Sequence, residues 1–174
     1  MNRASKREEI QIRILATTDL HAHFMNFDYY RDEVVDQFGL VALANLIEQA
    51  RGEVENTLLF DTGDLIQGCP LGDYMREYAL ERRHPAYILM NELGYDAATL
   101  GNHEFNFGLP FLETILAQAD FPYLCANLTT LEGSPWIRPY TILERQFRSN
   151  RPFLTAPAPV MKLALGDFAE QAAL

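Results

Sequence analysis

Basic residues are few in this 174-residue chain: 14 Lys and Arg stand against 24 Asp and Glu, for a net charge of -10. A nucleic-acid groove and a surface for anionic membranes both need clustered cations to neutralise phosphates, so the composition speaks against either partner. Cysteine is scarcer still. Cys69 and Cys125 are too few and too far apart for a disulfide framework and read as two unpaired, partly buried thiols. No run approaches the roughly 18 apolar residues of a membrane span. The opening MNRASKREE has no apolar stretch of signal-peptide length, so the chain as written is expected in the cytoplasm; a leader lost upstream would redirect it to the periplasm or cell surface. Histidine is limited to 4 positions, and none follows His103.

What is present is an ordinary globular composition, 48% hydrophobic and 22% charged, enough for one domain with a sizeable core. Strand and helix patterns alternate along it. Ile10, Ile12 and Ile14 alternate with polar neighbours, so residues 10–18 read as a strand ending at Asp19. Residues 22–38, aromatic and acidic, read as a loop. Leu40, Leu43, Ala44, Ile47 and Ala50 mark a helix over 39–51, and residues 57–60 form a buried strand before Asp61-Thr62-Gly63-Asp64. Pro70 opens a helix carrying Leu71, Tyr74, Met75 and Tyr78, and Pro85 opens another that stops at Gly94. A third strand over 95–100 delivers Gly101-Asn102-His103-Glu104; a helix over 110–119 and strands over 123–126 and 137–143 follow. The division expected is a polar arm over 1–9, a domain over 10–147, and a tail over 148–174 in which Pro152, Pro157 and Pro159 break any pattern and 160–174 has weak helical spacing at best.

Three short blocks fall just past strand ends: Asp19-Leu20-His21, Gly63-Asp64 and Gly101-Asn102-His103-Glu104. Open α/β sheets place ligand sites there, because the strand fixes the backbone while the loop frees the side chains. Each block has a plain structural reading: a surface turn, a helix cap, a hydrogen-bonded turn. Together and in this order they supply oxygen and imidazole donors for divalent cations. Such cations would also draw an anionic substrate to an acidic protein. Two metals about 3.5 to 4 Å apart need a bridging carboxylate, terminal ligands and a bridging hydroxide that attacks phosphorus in line. Asp19 and His21 can turn toward one ion, Asp64 can reach between two, Asn102 offers a carbonyl oxygen, and His103 can face the substrate.

These blocks resemble the first three signatures of the calcineurin-like metallophosphoesterases. The longer stretches TTDLHAHFMNFDYYRDEVVDQFGL, DTGDLIQGCPLGDYM and TLGNHEFNFGL resemble the 2′,3′-cyclic-nucleotide 2′-phosphodiesterase/3′-nucleotidase branch of the 5′-nucleotidase group, over roughly residues 10 to 147. The resemblance implies an α/β fold, a mixed β-sandwich flanked by helices, here incomplete. It implies two divalent ions, with Mn, Co, Zn, Fe and Mg not distinguishable, bound at the positions of Asp19, His21, Asp64 and Asn102. His103 is implied to contact the phosphate and assist the departing alkoxide, a role an imidazole suits near neutral pH. The 5′-nucleotidases carry an aspartate three residues after this histidine; Asn106 brings no such charge and matches the cyclic-phosphodiesterase branch.

The resemblance also implies later histidines in a Gly-His-x-His/Gln-like block and a C-terminal nucleotide-binding domain, neither of which this sequence contains. Two expectations from different classes follow. One is an N-terminal fragment of a metal-dependent hydrolase of 2′,3′-cyclic nucleotides and 3′-nucleotides. The other is a non-catalytic remnant holding at most one metal weakly. Among the remaining residues, His23 reads as a solvated loop histidine and His84 as surface. Phe24, Phe27, Tyr29 and Tyr30 read as loop packing, Trp136 as a local anchor, and Glu104 as a partner that orients a ligand.

Overall fold

Thr, Leu and Phe at 57–60 make a short apolar run that suits a strand buried on both faces, and it becomes the middle of a parallel sheet. In the computed structural model, which describes residues 10–36, 38–79, 81–147 and the backbone of 160–166, β1 (Arg13–Thr17) leads into the hairpin β2 (Phe27–Asp28) and β3 (Glu33–Val34), then helix α1 (Leu40–Glu53). β4 (Thr57–Asp61), α2 (Pro70–Tyr78), α3 (Pro85–Leu93) and β5 (Ala97–Ala98) follow. A 3-10 turn (His103–Phe105), α4 (Leu109–Leu116), β6 (Tyr140–Gln146) and β7 (Val160–Gly166) complete the order.

β1, β4 and β5 form one sheet with parallel pairing, in register from Arg13↔Thr57 to Thr17↔Asp61 and from Phe60↔Ala97 to Asp61↔Ala98. The motif-bearing strands are therefore neighbours, and their carboxyl ends lie on one edge. The core packs Leu40, Leu59, Ile66, Tyr87, Met90 and Leu112 around Phe24, the loop aromatic that is fully buried. Helices begin and end where their punctuation dictates. Proline occupies the first turn of α2, α3 and α4, where its missing N–H leaves no bond unmade, and Gly94 ends α3 in the left-handed conformation.

Several elements depart from the sequence reading. The loop over 22–38 contains the β2–β3 hairpin. The third strand shrinks to Ala97–Ala98, and Tyr123 contributes only an isolated parallel bridge to Ala98 rather than a strand over 123–126. The strand expected over 137–143 lies at Tyr140–Gln146 because its partner selects the register. That partner is β7, so residues 160–166 are a strand rather than weak helix. Pairing with β6 outweighs local spacing there. The arm over 1–9 and most of the tail over 148–174 lie outside the described residues. Arg145 of β6 bonds Asp96, at the entry to β5, at 2.5 Å and ties the hairpin to the sheet.

Candidate metal centre

Past the ends of β1 and β4 the chain goes on pairing although regular strand has stopped. Thr62 N–H donates to Thr17 O (2.9 Å), Asp19 N–H to Gly63 O (3.0 Å), His21 N–H to Asp64 O (2.8 Å) and Ala22 N–H to Leu65 O (2.7 Å). Two loops that are distant in sequence are thereby locked side by side. Asp19, His21, Ala22 and Asp64 all take positive φ, between 48° and 60°. Left-handed backbone costs roughly 1 to 3 kcal/mol per non-glycine residue and persists only where the surroundings over-determine it. Three of these four are predicted metal ligands, and the turn swings their side chains together. Gly63 and Gly101 meet back to back: Gly63 sits at φ 100°, and a Cβ on it would overlap the Gly101 amide.

The result is a cluster in which one ligand atom each from Asp19, His21 and Asp64 lies within 4.8 Å of the others, partly open to solvent. Ligands around a small divalent cation sit about 3 to 4.5 Å from one another, since each bond is about 2.0 to 2.2 Å, so this carboxylate-imidazole-carboxylate set fits such an ion. His21 is pre-oriented for it. Its Nδ1 lies 2.9 Å from the Gln67 carbonyl, which can only accept, so Nδ1 holds the hydrogen and Nε2 keeps its lone pair facing Asp19 at 3.6 Å. Asp64 Oδ1 accepts the His103 N–H at 2.9 Å, which pins the third block to the second.

The His103 ring stands edge-on to His21, centroids 5.1 Å apart. Asn106 Nδ2 donates to His103 Nδ1 at 2.9 Å, so Nε2 carries the hydrogen and can donate outward. Asn102 opens the 3-10 turn with its side chain exposed. Asn106 also walls a cavity of about 520 Å³ along α2 that includes Arg76, Phe107 and the Tyr74 and Tyr78 rings, which lie 5.5 Å apart.

Glu104 reaches the candidate ligand Asp64 through the backbone rather than through its side chain. It is 1% exposed, and its carboxylate accepts the backbone N–H groups of Asp64 (2.8 Å), Leu65 (2.5 Å), Ile66 (3.4 Å) and Gly101 (2.6 Å). Burial raises its pKa, and those backbone donors pull it back. His23 turns from the cluster to the Leu20 carbonyl and the Phe38 ring. His84, expected at the surface, is 1% exposed, because it caps α3 from inside: Nδ1 accepts the Ala86 N–H while Phe24, Tyr87 and Phe111 surround the ring.

The calcineurin-like phosphoesterase family model matches residues 12–155. The chain belongs to the calcineurin-like phosphoesterases. This phosphoesterase is 49% identical to a 2′,3′-cyclic-nucleotide 2′-phosphodiesterase/3′-nucleotidase of Yersinia enterocolitica and 50% identical to one of Salmonella typhimurium. Each match runs over 138 residues, 78% of this chain and 21% of the relative. The chain thus spans about a fifth of those relatives' length. The crystal structure of the calcineurin-like phosphoesterase YfkN from Bacillus subtilis superposes with a TM-score of 0.80 at 43% identity, covering 89% of this chain and 46% of that one. The likeness carries the expected fold class: this phosphoesterase has part of the metallophosphoesterase fold. Among the described residues, no helix is long and apolar enough to cross a membrane.

Asp61 is not among the site residues expected from the sequence of this phosphoesterase. It is 2% exposed at the end of β4, accepts the Gly63 N–H (3.0 Å) and the Thr17 hydroxyl (2.6 Å), and burial pushes its pKa up to about 7. The signal available was period two: Leu59 and Asp61 share a strand face, and Leu59 is core.

Proposed function

We propose that this chain forms the cation-binding part of a hydrolase of 2′,3′-cyclic nucleotides and 3′-nucleotides. The observation that carries the reading is the convergence of Asp19, His21 and Asp64 on one point beside His103. In this reading Asp19 and His21 would hold one cation, Asp64 would be shared with a second, and Asn102 would serve the second. The cations, when bound, would offset charge on the phosphoryl oxygens and activate the attacking water. The chain's own groups do the rest. Asp64 Oδ1 holds the His103 backbone so that the ring stays beside the cluster. Asn106 keeps the hydrogen on His103 Nε2, from which the ring can donate a hydrogen bond to the departing ribose oxygen. The cavity beyond Asn106, with its exposed tyrosine rings, gives the nucleoside room on the leaving side.

A second reading, a remnant that holds one ion weakly and turns nothing over, draws on the donor count: among the described residues only one group of three candidate ligands gathers. Mn²⁺ or Co²⁺ titration combined with turnover of 2′,3′-cyclic AMP separates the two. Binding of two ions per chain with release of the 3′-nucleotide supports the hydrolase. One ion and no turnover at saturating metal, with a full-length relative active alongside, overturns catalysis by this chain.

A further inference from the structure

Beneath the candidate centre a line of three buried or half-buried side chains crosses the sheet. Tyr95 OH lies 2.9 Å from Thr17 Oγ1, and Thr17 Oγ1 lies 2.6 Å from Asp61 Oδ2, while Asp61 Oδ1 accepts the Gly63 N–H at 3.0 Å. With Asp61 ionised the carboxylate can only accept, so the hydrogens then run one way: Thr17 donates to Asp61, and Tyr95 donates to Thr17. Each residue belongs to a different motif-bearing segment. Thr17 ends β1 two residues before Asp19, Asp61 ends β4 three before Asp64, and Tyr95 leads into β5 and the loop carrying Asn102 and His103.

We propose that Asp61, Thr17 and Tyr95 are positioning residues that set the spacing of the three ligand-bearing loops, with Asp61 the fixed point of the line. The proposal rests on the reading of Asp19, His21 and Asp64 as a cation site. Its physical basis is that a buried carboxylate with two donors seldom adds stability over a well-packed apolar group, but it fixes direction. Backbone bonds hold the first two loops edge to edge. The hydroxyl line adds side-chain bonds that join all three segments, and Asp61 also grips the Gly63 amide immediately before Asp64. Asparagine at 61 keeps an acceptor for Gly63 but turns a donor toward Thr17, which reverses the hydroxyl line and removes the charge at its end.

The test uses the whole chain and free Mn²⁺ and Co²⁺. Asp61→Asn and Thr17→Val are expected to weaken Mn²⁺ binding by about tenfold or more, the range seen when groups that orient ligands are removed. Tyr95→Phe, at the far end of the line, should cost about threefold. Thr17→Ser, which keeps the hydroxyl, should restore wild-type binding and the wild-type visible absorption spectrum of bound Co²⁺, whereas Thr17→Val should change that spectrum at full occupancy. Tyr87→Phe removes a buried hydroxyl that bonds Tyr123 at 3.2 Å, outside the line, and serves as the control for a general loss of stability. Unchanged affinity and Co²⁺ spectrum in Asp61→Asn and Thr17→Val, or changes no larger than those of Tyr87→Phe, overturn the positioning role. Failure of the wild-type chain to bind either ion overturns the cation site itself and, with it, this proposal.

Discussion

The carboxyl edge of the sheet and the pocket around His84 treat buried polar groups in opposite ways. At the edge, Glu104 collects four backbone N–H groups and Asp61 two donors, so both carboxyl groups are satisfied. In the pocket, His84 Nδ1 caps α3, but Nε2 has no hydrogen-bond partner among the described residues and faces aromatic rings. Burial acts on both through one cause with opposite signs: it pushes Asp61 up to about 7 and His84 down to about 4, favouring the neutral form each time. The difference lies in what each region must hold. The edge keeps Asp19, His21 and Asp64 in left-handed backbone and needs many converging bonds to do so. The pocket keeps only a helix start, which one acceptor serves.

Glu104→Ala should break the comparison most severely. It leaves up to four N–H groups, two buried and two part-buried, without an acceptor, at an expected cost of about 4 kcal/mol in urea unfolding. For a chain of this size that lowers the melting temperature by about 12 °C. A loss under about 1 kcal/mol would show that the four amides find other acceptors and that the carboxylate is not their anchor.

Next in size is a pair of opposed pH dependences. For His84 the unfolded chain takes up a proton near its ordinary 6.5 and the folded one only near 4, so stability falls as pH drops through that window, by about 3 kcal/mol in all. For Asp61 the folded pKa of about 7 exceeds the ordinary 3.8. Its contribution is full below 3.8 and is lost as pH rises toward 7. Between about pH 4 and 6.5 the two slopes oppose each other in the metal-free protein. His84→Asn keeps a capping acceptor and removes the imidazole, so stability should then decline with rising pH across the window. Asp61→Asn should make it climb instead. Denaturant unfolding at half-unit pH steps reads both slopes; parallel profiles in the two variants would refute the burial account of one or both groups.

Local signals made most of the sheet and helices legible. Prolines at 70, 85 and 110 and the glycine at 94 mark helix ends because their backbone preferences act wherever they stand. The three blocks at strand ends were readable for the same reason, and Asp19, His21 and Asp64 do converge. What stayed hidden depends on distant partners. β7 is a strand because β6 pairs with it. The β2–β3 pairing joins Phe27 to Val34 across a turn without an Asn-Gly or Asp-Gly signal. His84 follows Arg82 and Arg83, both exposed, and only the fold reveals that the chain dives inward there. Asp61 hides within Asp61-Thr62-Gly63-Asp64, where neighbouring carboxylates look alike until one is seen to face the core and the other the edge.

A smaller change separates backbone strain from polar satisfaction at the edge. Gly63→Ala introduces a Cβ at φ 100° against the Gly101 amide, and the two loops must part to admit it. The expected cost is about 2 kcal/mol, with weaker Mn²⁺ binding, because Asp64 moves relative to His21. Gly133→Ala supplies the reference for left-handed strain alone, since it has φ 81° but open space around its Cβ. If both variants lose the same stability and neither loses metal affinity, contact between Gly63 and Gly101 has no part in shaping the site.

The smallest effect sharpens the contrast from the other side. Tyr87 and Tyr123 share a hydroxyl contact of 3.2 Å in the apolar interior next to His84, and burial raises the pKa of both. Tyr87→Phe keeps the ring packed and leaves Tyr123 with one unmet group, so about 1 kcal/mol should be lost. No candidate ligand loop hangs on that contact. Calorimetric titration with Mn²⁺ should therefore return the wild-type affinity even though the melting temperature falls by about 3 °C. A loss of affinity comparable to that of Gly63→Ala would mean that the interior and the edge are one mechanical unit, and the division between a region built for direction and one built for packing would no longer hold.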